Sequence, residues 1–539
     1  MWRRRRQASI YEHVQAHIEP GVPGLREGGD VLPDEEEAFS DGLSWAPGAL
    51  EGVFSRYAGP PEDTDERAGA LHRALLQLAS EPGRRTRAEV AELFRVGADR
   101  SLMDGLLERL ASEPPADQER LYSELRRILL ETGNRDELKF AIALVGAFGQ
   151  LENADVFRAL ARHEEFTLYA AVALGACVPD PVGEWLSLLP DVSGWGATEL
   201  SELLVSAEDD RACGVLLRRG ASIGNALVLA VGCGLREALE ADDVDDDLLR
   251  GAQSILDDLT WSHSGPETLD DYPDAGPAVE RFLELLAPRA STLDDLITAY
   301  ELGRYLDPVV DPEEPADPDG HERELAAAGF DEERRERVRD LSRAIVERAE
   351  WRAVAAAALE SDDDDERLTA IEASKRLGLP LRKYLVRRIE AAPNDSIHWF
   401  HLAFDADAAE MGEVVRLAER VLDLDALGSG PALEHFGLPD SEGPHEAADY
   451  ILQELPRFPG VGERLLLAGL RSPVIRHRLF ALRSLSAWPR ELLRDEILQA
   501  VGARLDDPAE DVRAYANAVL RDEPLPEPDF ELDLEDDEG

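Results

Sequence analysis

In the stretch after Asp247, the apolar residues Leu248, Leu249, Ala252, Ile255, Leu256 and Leu259 stand at i, i+1, i+4, i+7, i+8 and i+11. That spacing places them on one face and predicts an amphipathic α-helix. The same period runs through the chain from about Glu66 onward. Ser291 followed by Asp294 reads as a capping box, with Leu293, Leu296, Ile297 and Tyr300 as the buried stripe of the helix it starts. Val338, Leu341, Ile345, Ala349, Ala353 and Ala356 extend one long helical pattern. No run of alternating apolar and polar residues is long enough to predict a strand, so the pattern predicts an all-α fold.

The pattern breaks in defined places. Pro20 to Pro61 carries so many Gly and Pro residues that long helices are excluded there. Phe39, Leu43, Trp45, Leu50, Val53, Phe54 and Tyr57 nevertheless make this stretch too apolar for a free linker, and predict that it packs on the first helices. The acidic, proline-rich sequence DPVVDPEEPADPDG from Asp307 to Gly320 can neither continue a helix nor bury a core. The chain therefore reads as an irregular N-terminal module (1–65), a helical repeat domain (66–306), a linker (307–320), a second helical block (321–521) and an acidic, disordered tail (522–539).

Two C-terminal segments match at an offset of 35 positions, pairing Leu470 with Leu505, Pro473 with Pro508, Arg478 with Arg513, Ala481 with Ala516, and Leu485 with Leu520. Each copy reads as helix, tight turn at proline, helix. The second copy, LDDPAEDVRAYANAVL, resembles the second half of a HEAT repeat, with Asp506, Pro508, Val512, Arg513, Ala516 and Leu520 in the characteristic places. Val512, Tyr515, Ala516, Val519 and Leu520 form its inward stripe, which one helix pair cannot bury alone. The resemblance covers residues 460–521, and FAIALVGAFG and FTLYAAVALGAC within Glu137 to Cys177 resemble inner helices of such pairs. It implies an armadillo-like α-solenoid of HEAT-like helix pairs, and with it a protein-binding scaffold or adaptor.

Composition changes the picture of the solvent. The 539 residues carry 112 Asp and Glu against 57 Lys and Arg, a formal net charge of −55. Only Lys139, Lys375 and Lys383 are lysines. At about 1 M salt the Debye length shrinks to roughly 3 Å and most of the self-repulsion is screened, so the composition is that of a halophilic protein folding in concentrated salt. Disorder requires low hydrophobicity, whereas 44% of these residues are apolar and ordered in pattern. Cys177, Cys213 and Cys233 show neither a disulfide framework nor C-x-x-C spacing, which fits a reducing cytoplasm. The apolar runs Ala141 to Phe148 and Ala226 to Val231 are far shorter than the ~20 residues of a membrane span. Arg3 to Arg6 lack the apolar region of an export signal and read as a short disordered start. An acidic chain also lacks the basic face that nucleic-acid binding needs.

Candidate chemistry is sparse. His398, His401 and Asp405 lie at i, i+3 and i+7, a spacing at which two imidazoles and a carboxylate on one helix face hold a divalent metal. The surrounding Trp399, Phe400, Leu402 and Phe404 favour a partly buried helix with hydrogen-bonded histidines instead. His163-Glu164, His321-Glu322 and His445-Glu446 are similar to the dipeptides of deoxyhypusine hydroxylase, a HEAT-like metalloenzyme family that needs them in symmetric register, which these positions do not keep. Gly232-x-Gly234 mimics a nucleotide loop, but Arg236 holds the third glycine position, so Gly220, Gly224 and Gly232 read as helix contact points. Phe530, Leu532 and Leu534 alternate with acids in the tail and read as either a docking strand or a solubilising end. No catalytic or cofactor-binding residue is predicted. The sequence therefore points to a cytoplasmic protein-binding scaffold with a protein partner. The alternatives are an oxygenase- or hydroxylase-like metal-dependent enzyme on the same fold, and an acidic immunity or regulatory partner of a basic protein.

The charge argument predicts predominantly helical far-ultraviolet circular dichroism in ~2 M KCl and loss of that signal in dilute buffer. Full helicity without salt would remove the halophilic reading.

Overall fold

The computed structural model describes residues 9–35, 46–49, 63–95, 97, 99–261, 267–307, 318–404, 406–433 and 444–526, and no β-strand occurs among them. The apolar cluster from Phe39 to Tyr57, Arg3 to Arg6 and the tail residues Phe530, Leu532 and Leu534 lie outside the described residues. The chain divides into two compact units, residues 1–361 and 362–539.

In the first unit a layer of helices runs Thr64–Ser80, Arg100–Ser112, Arg135–Gly146, Thr167–Cys177, Gly194–Ser206, Ala226–Gly232, Asp246–Trp261, Leu293–Tyr305 and Glu332–Val346. Each packs on the next in this series. Intervening helices, among them Gln118–Glu131, Ala154–Leu160, Pro181–Leu188, Asp210–Arg219 and Ala275–Leu286, form a second layer. Next-but-one packing of this kind is the architecture of an α-solenoid of helix pairs. The abundance of acids serves the fold locally, because Asp99, Asp117, Asp180 and Asp209 each accept a backbone N–H in the first turn of the helix they cap. Close approach in the layer depends on small residues. A Cβ on Gly146 would collide with Ala173, and one on Gly232 with Val205.

The stripe of the Asp246–Trp261 helix is buried as the spacing predicts, with Ala252, Ile255 and Leu256 inaccessible to solvent. Two other expectations shift. The cap at Leu293–Tyr305 is Thr292, not Ser291. Its hydroxyl accepts from the Asp295 N–H, while the Asp295 carboxylate accepts from both Ser291 and Thr292 N–H. The buried face accordingly turns to Leu293, Leu296, Ala299 and Leu302, leaving Ile297 and Tyr300 half-buried. The long pattern from Val338 to Ala356 is two helices, Glu332–Val346 and Trp351–Ala358. The Trp351 indole N–H donates to the Ile345 carbonyl across the break, and the second helix buries Trp351, Ala355 and Ala358 while Ala349, Ala353 and Ala356 are exposed. Leu293–Tyr305, before the 307–320 segment, packs on Glu332–Val346, beyond it, within the first unit, the Ser342 hydroxyl donating to the Ala299 carbonyl at 2.6 Å. The compact units divide after Ser361 instead.

The described part of the N-terminal segment docks on this unit. Ser9 caps the helix Ile10–Ala16 and donates to the Leu130 carbonyl, and Ile10 N–H donates to the Thr132 carbonyl. Ile10 and Val14 are fully buried.

In the second unit Ser396–Ala403, His445–Leu452, Ile475–Ser486 and Glu510–Arg521 form one packed series, with Ala408–Val421, Glu463–Gly469 and Asp495–Gly502 in the second layer. The 35-residue repeat appears as duplicated hydrogen bonding. Arg478 donates to the Ser472 and Pro473 carbonyls, and Arg513 donates to the Asp507 and Pro508 carbonyls. Ser472 and Asp507, also equivalent, accept from the Val474 and Ala509 N–H groups. Arg478 further reaches the next repeat, pairing with Asp507 at 3.0 Å with both side chains 0% exposed.

Breaking a buried pair leaves an uncompensated charge, which costs about 3 kcal/mol or more. Asp507→Leu should therefore lower the urea midpoint strongly in high-salt buffer, and Arg478→Met added to it should recover part of the loss, because an apolar pair replaces an orphaned guanidinium. Additive losses in the double variant would count against the coupling.

Candidate functional site

Four consecutive helices of the first-unit layer enclose an apolar cleft of about 490 Å³. Arg135–Gly146 and Thr167–Cys177 form its floor, contributing Ala143 and the C-cap residue Ala147 from one and Leu168, Val172 and Ala176 from the other. Met103 and Leu107 of Arg100–Ser112 line one wall, and Leu203 of Gly194–Ser206 lines the opposite wall. The walls meet at one end, where Arg100 Nη2 lies 2.6 Å from Glu199 Oε2. Asp104, Glu202 and Ser206 complete the rim.

The sequence of the central floor helix, TLYAAVALGAC, explains why the cleft is apolar. It has no charged residue on any face, a pattern expected of a helix buried all round. One side is covered by Trp185, whose indole N–H donates to the Ala171 carbonyl. The stripe Leu168, Val172 and Ala176 remains open, and Val172 is 51% exposed. Leu151, Val231 and Leu433 are exposed to a similar degree, and what sets Val172 apart is its place in a concave, mostly apolar lining.

The floor is underpinned by a buried polar network that also holds the N-terminal segment. Lys139 Nζ lies 2.7 Å from Glu165 Oε1, their side chains 6% and 10% exposed, and 5.9 Å from the ring centroid of Tyr169, which lines the cleft. The other Glu165 oxygen accepts from the Gly48 N–H at 2.9 Å. Gly48 has φ +73°, where a side chain would be strained. Arg135 N–H donates to Asp34, and the Arg135 guanidinium pairs with Asp34 and Glu35. Burial pushes the Glu165 carboxyl up, but Lys139, Gly48 and Arg135 more than offset it and hold the group below the usual carboxylate range. His163 is buried against the same network, with Nδ1 accepting from the Glu165 N–H and Nε2 3.3 Å from the Asp30 carbonyl. Burial holds its imidazole below the ordinary value.

A second cleft, of about 930 Å³, lies between the Asp246–Trp261 and Leu293–Tyr305 helices and is lined by carboxylates including Asp257, Asp258, Asp294 and Asp295. Burial, then the neighbouring Asp295, pushes the Asp294 carboxyl up.

Among the described residues, those singled out from sequence are held by different neighbours. His398 Nδ1 lies 2.9 Å from Asp395 Oδ2, and His401 Nδ1 lies 2.8 Å from Lys375 Nζ, so an ammonium stands where a cation would be ligated. Asp405 lies outside the described residues. Among the described residues no group of three His, Cys, Asp or Glu side chains is arranged to hold a metal. His163 belongs to the N-terminal network, Glu322 pairs with Arg335, and His445 stacks on His477 at 5.9 Å between centroids. Gly232 and Gly224 press against Val205 and Ser201, and Gly234 adopts a left-handed turn before the helix Leu235–Glu240. No helix among the described residues is long and apolar enough to cross a membrane. The cleft itself was not anticipated. Its signal was the absence of a polar face in residues 167–177.

No family model and no curated protein matches the chain. Among solved structures it is similar to Kap121p bound to RanGTP, at 13% identity and a TM-score of 0.18 over 95% of this chain and 48% of that one. It is similar to Cex1p at 11% identity and a TM-score of 0.18, over 85% of this chain and 79% of that one. The chain thus spans about half the length of Kap121p. At these identities and scores the likeness carries no function across.

The depressed imidazole of His163 fixes a sign. Between its folded value and the unfolded value near 6.5, the unfolded chain binds more protons, so this contribution is present above that pH and lost as pH falls below it. Thermal midpoints at constant high salt should fall between pH 7.5 and 5.5, and His163→Gln should show a shallower fall. An identical slope in the variant would exclude His163 as the titrating group.

Proposed function

We propose that the chain is a non-enzymatic protein-binding scaffold of HEAT-like helix pairs, working in a salt-rich cytoplasm and binding its protein partner through the apolar cleft of the first unit. The observation that carries this reading is the open stripe Leu168, Val172 and Ala176 on an uncharged helix, in a chain with a net charge of −55. A layered helical array offers a long surface built from the same helix of each pair, and binding on it needs no catalytic group. The acidic composition and the three free cysteines support the solvent and compartment. A basic partner masked by the acidic surface, and a metal-dependent enzyme, remain the competing readings. The first predicts a complex lost above ~2 M salt, and the second predicts stoichiometric metal in the purified protein.

A photo-crosslinking residue placed at Val172 in the full chain, expressed in its own cytoplasm, should give an adduct of one discrete mass. The same residue at exposed Ala356 should give none. Equal labelling at both positions, or none at either, would remove the scaffold reading.

A further inference from the structure

The shape of the cleft defines what fills it. From Arg100 to Leu107 on one wall and from Leu168 to Ala176 on the floor, the lining covers about two turns at 1.5 Å per residue. The floor presents two rows at i, i+4 spacing, Ala143 with Ala147 and Leu168 with Val172 and Ala176, with a groove between them. Rows of this kind receive the ridge of another helix, and small residues along one row let its backbone approach closely. The four lining helices thus leave a vacant position in helical packing. An extended peptide would bring unpaired N–H and C=O groups against this apolar floor, whereas a helix arrives with its backbone bonds already made.

The rim adds a sign. Arg100 is engaged by Glu199, and the rim also carries the acidic Asp104. Asp104 is exposed at the mouth. At high ionic strength diffuse attraction is lost within a few Å, so only a cation placed directly against the Asp104 carboxylate contributes.

We infer that the cleft binds an amphipathic α-helix of a partner protein, two turns long at the contact. The helix presents three or four apolar side chains to the floor and a Lys or Arg to Asp104. This inference rests on the scaffold reading and gives it a partner class. The Arg100–Glu199 pair closes one end and sets the limit of the bound segment.

The test uses the full chain in 1 M KCl and two synthetic fluorescent peptides of eighteen residues. Both carry the same Leu face at i, i+3, i+4 and i+7, one with Lys and one with Glu on the flanking positions. Fluorescence anisotropy should show saturable binding of the Lys peptide and weaker binding of the Glu peptide. Val172→Asp and, separately, Ala147→Glu place a charge on the floor and should weaken the Lys peptide about tenfold or more. Both positions are exposed, so folding is checked by unchanged circular dichroism. Asp104→Lys should abolish the preference between the peptides.

Equal binding of both peptides, or binding indifferent to Val172→Asp, overturns the inference. Absence of peptide binding while the crosslinker at Val172 still captures a discrete protein also overturns it, and leaves the scaffold reading standing. Failure of the crosslinking experiment removes the scaffold reading itself, and this inference with it.

Discussion

A helix of two or three turns with one apolar stripe cannot remain folded alone in water, because its stripe has nothing to bury against. Every helix in the main layer of the first unit meets this constraint in the same way, by packing on the next-but-one helix in sequence. The stack is therefore only as good as its contact faces. Gly146 against Ala173 and Gly232 against Val205 allow backbone approach that a larger residue would prevent. The same constraint exposes its own exception. Residues 167–177 form a helix without a charged residue, most of it is buried, and the stripe Leu168, Val172 and Ala176 is the floor of a cleft.

A stack of similar helices is degenerate in register, and apolar contact alone does not say which turn meets which. Buried polar groups remove that freedom, because each must find its particular partner. Arg478 does this between the two C-terminal repeats by reaching Asp507 while also serving two carbonyls of its own turn. Lys139 and Arg135 do it in the first unit. They hold Glu165 and Asp34, and through them Gly48 and the segment after the first helix. Lys139 also lies near Tyr169, so the anchor of the N-terminal segment and the floor of the cleft share one side chain.

Helix existence was legible in the sequence because it depends on spacing, and the 35-residue repeat was legible because both copies preserve the residues that make the turn. Arg478 and Arg513 donate to equivalent carbonyls. Cap positions were less legible. Ser291 and Thr292 are both competent caps, and the choice between them rests on the Asp295 carboxylate, which serves both N–H groups. The break at 347–350 was hidden because alanine carries little preference between inside and outside, and Trp351 chose the buried face. The burial of His401 was legible from its aromatic neighbours, but its partner was not. Its neighbour Lys375 is 26 positions away and belongs to another helix. The cleft was missed because periodicity reports where apolar residues lie, not how many sides of a helix find neighbours.

The salt-rich solvent we propose changes which contacts are usable for recognition. At a Debye length of about 3 Å, carboxylates spread over the surface neither attract nor repel at a distance, and they discriminate poorly between partners. Burial of apolar surface is not screened in this way, and an ion pair in direct contact is screened least. A chain of this composition that must bind another protein selectively is left with an uncharged patch bordered by a few fixed charges. The cleft bounded by Arg100, Asp104, Glu199 and Glu202 is such a patch, and its floor is held in place by polar groups buried beyond the reach of salt.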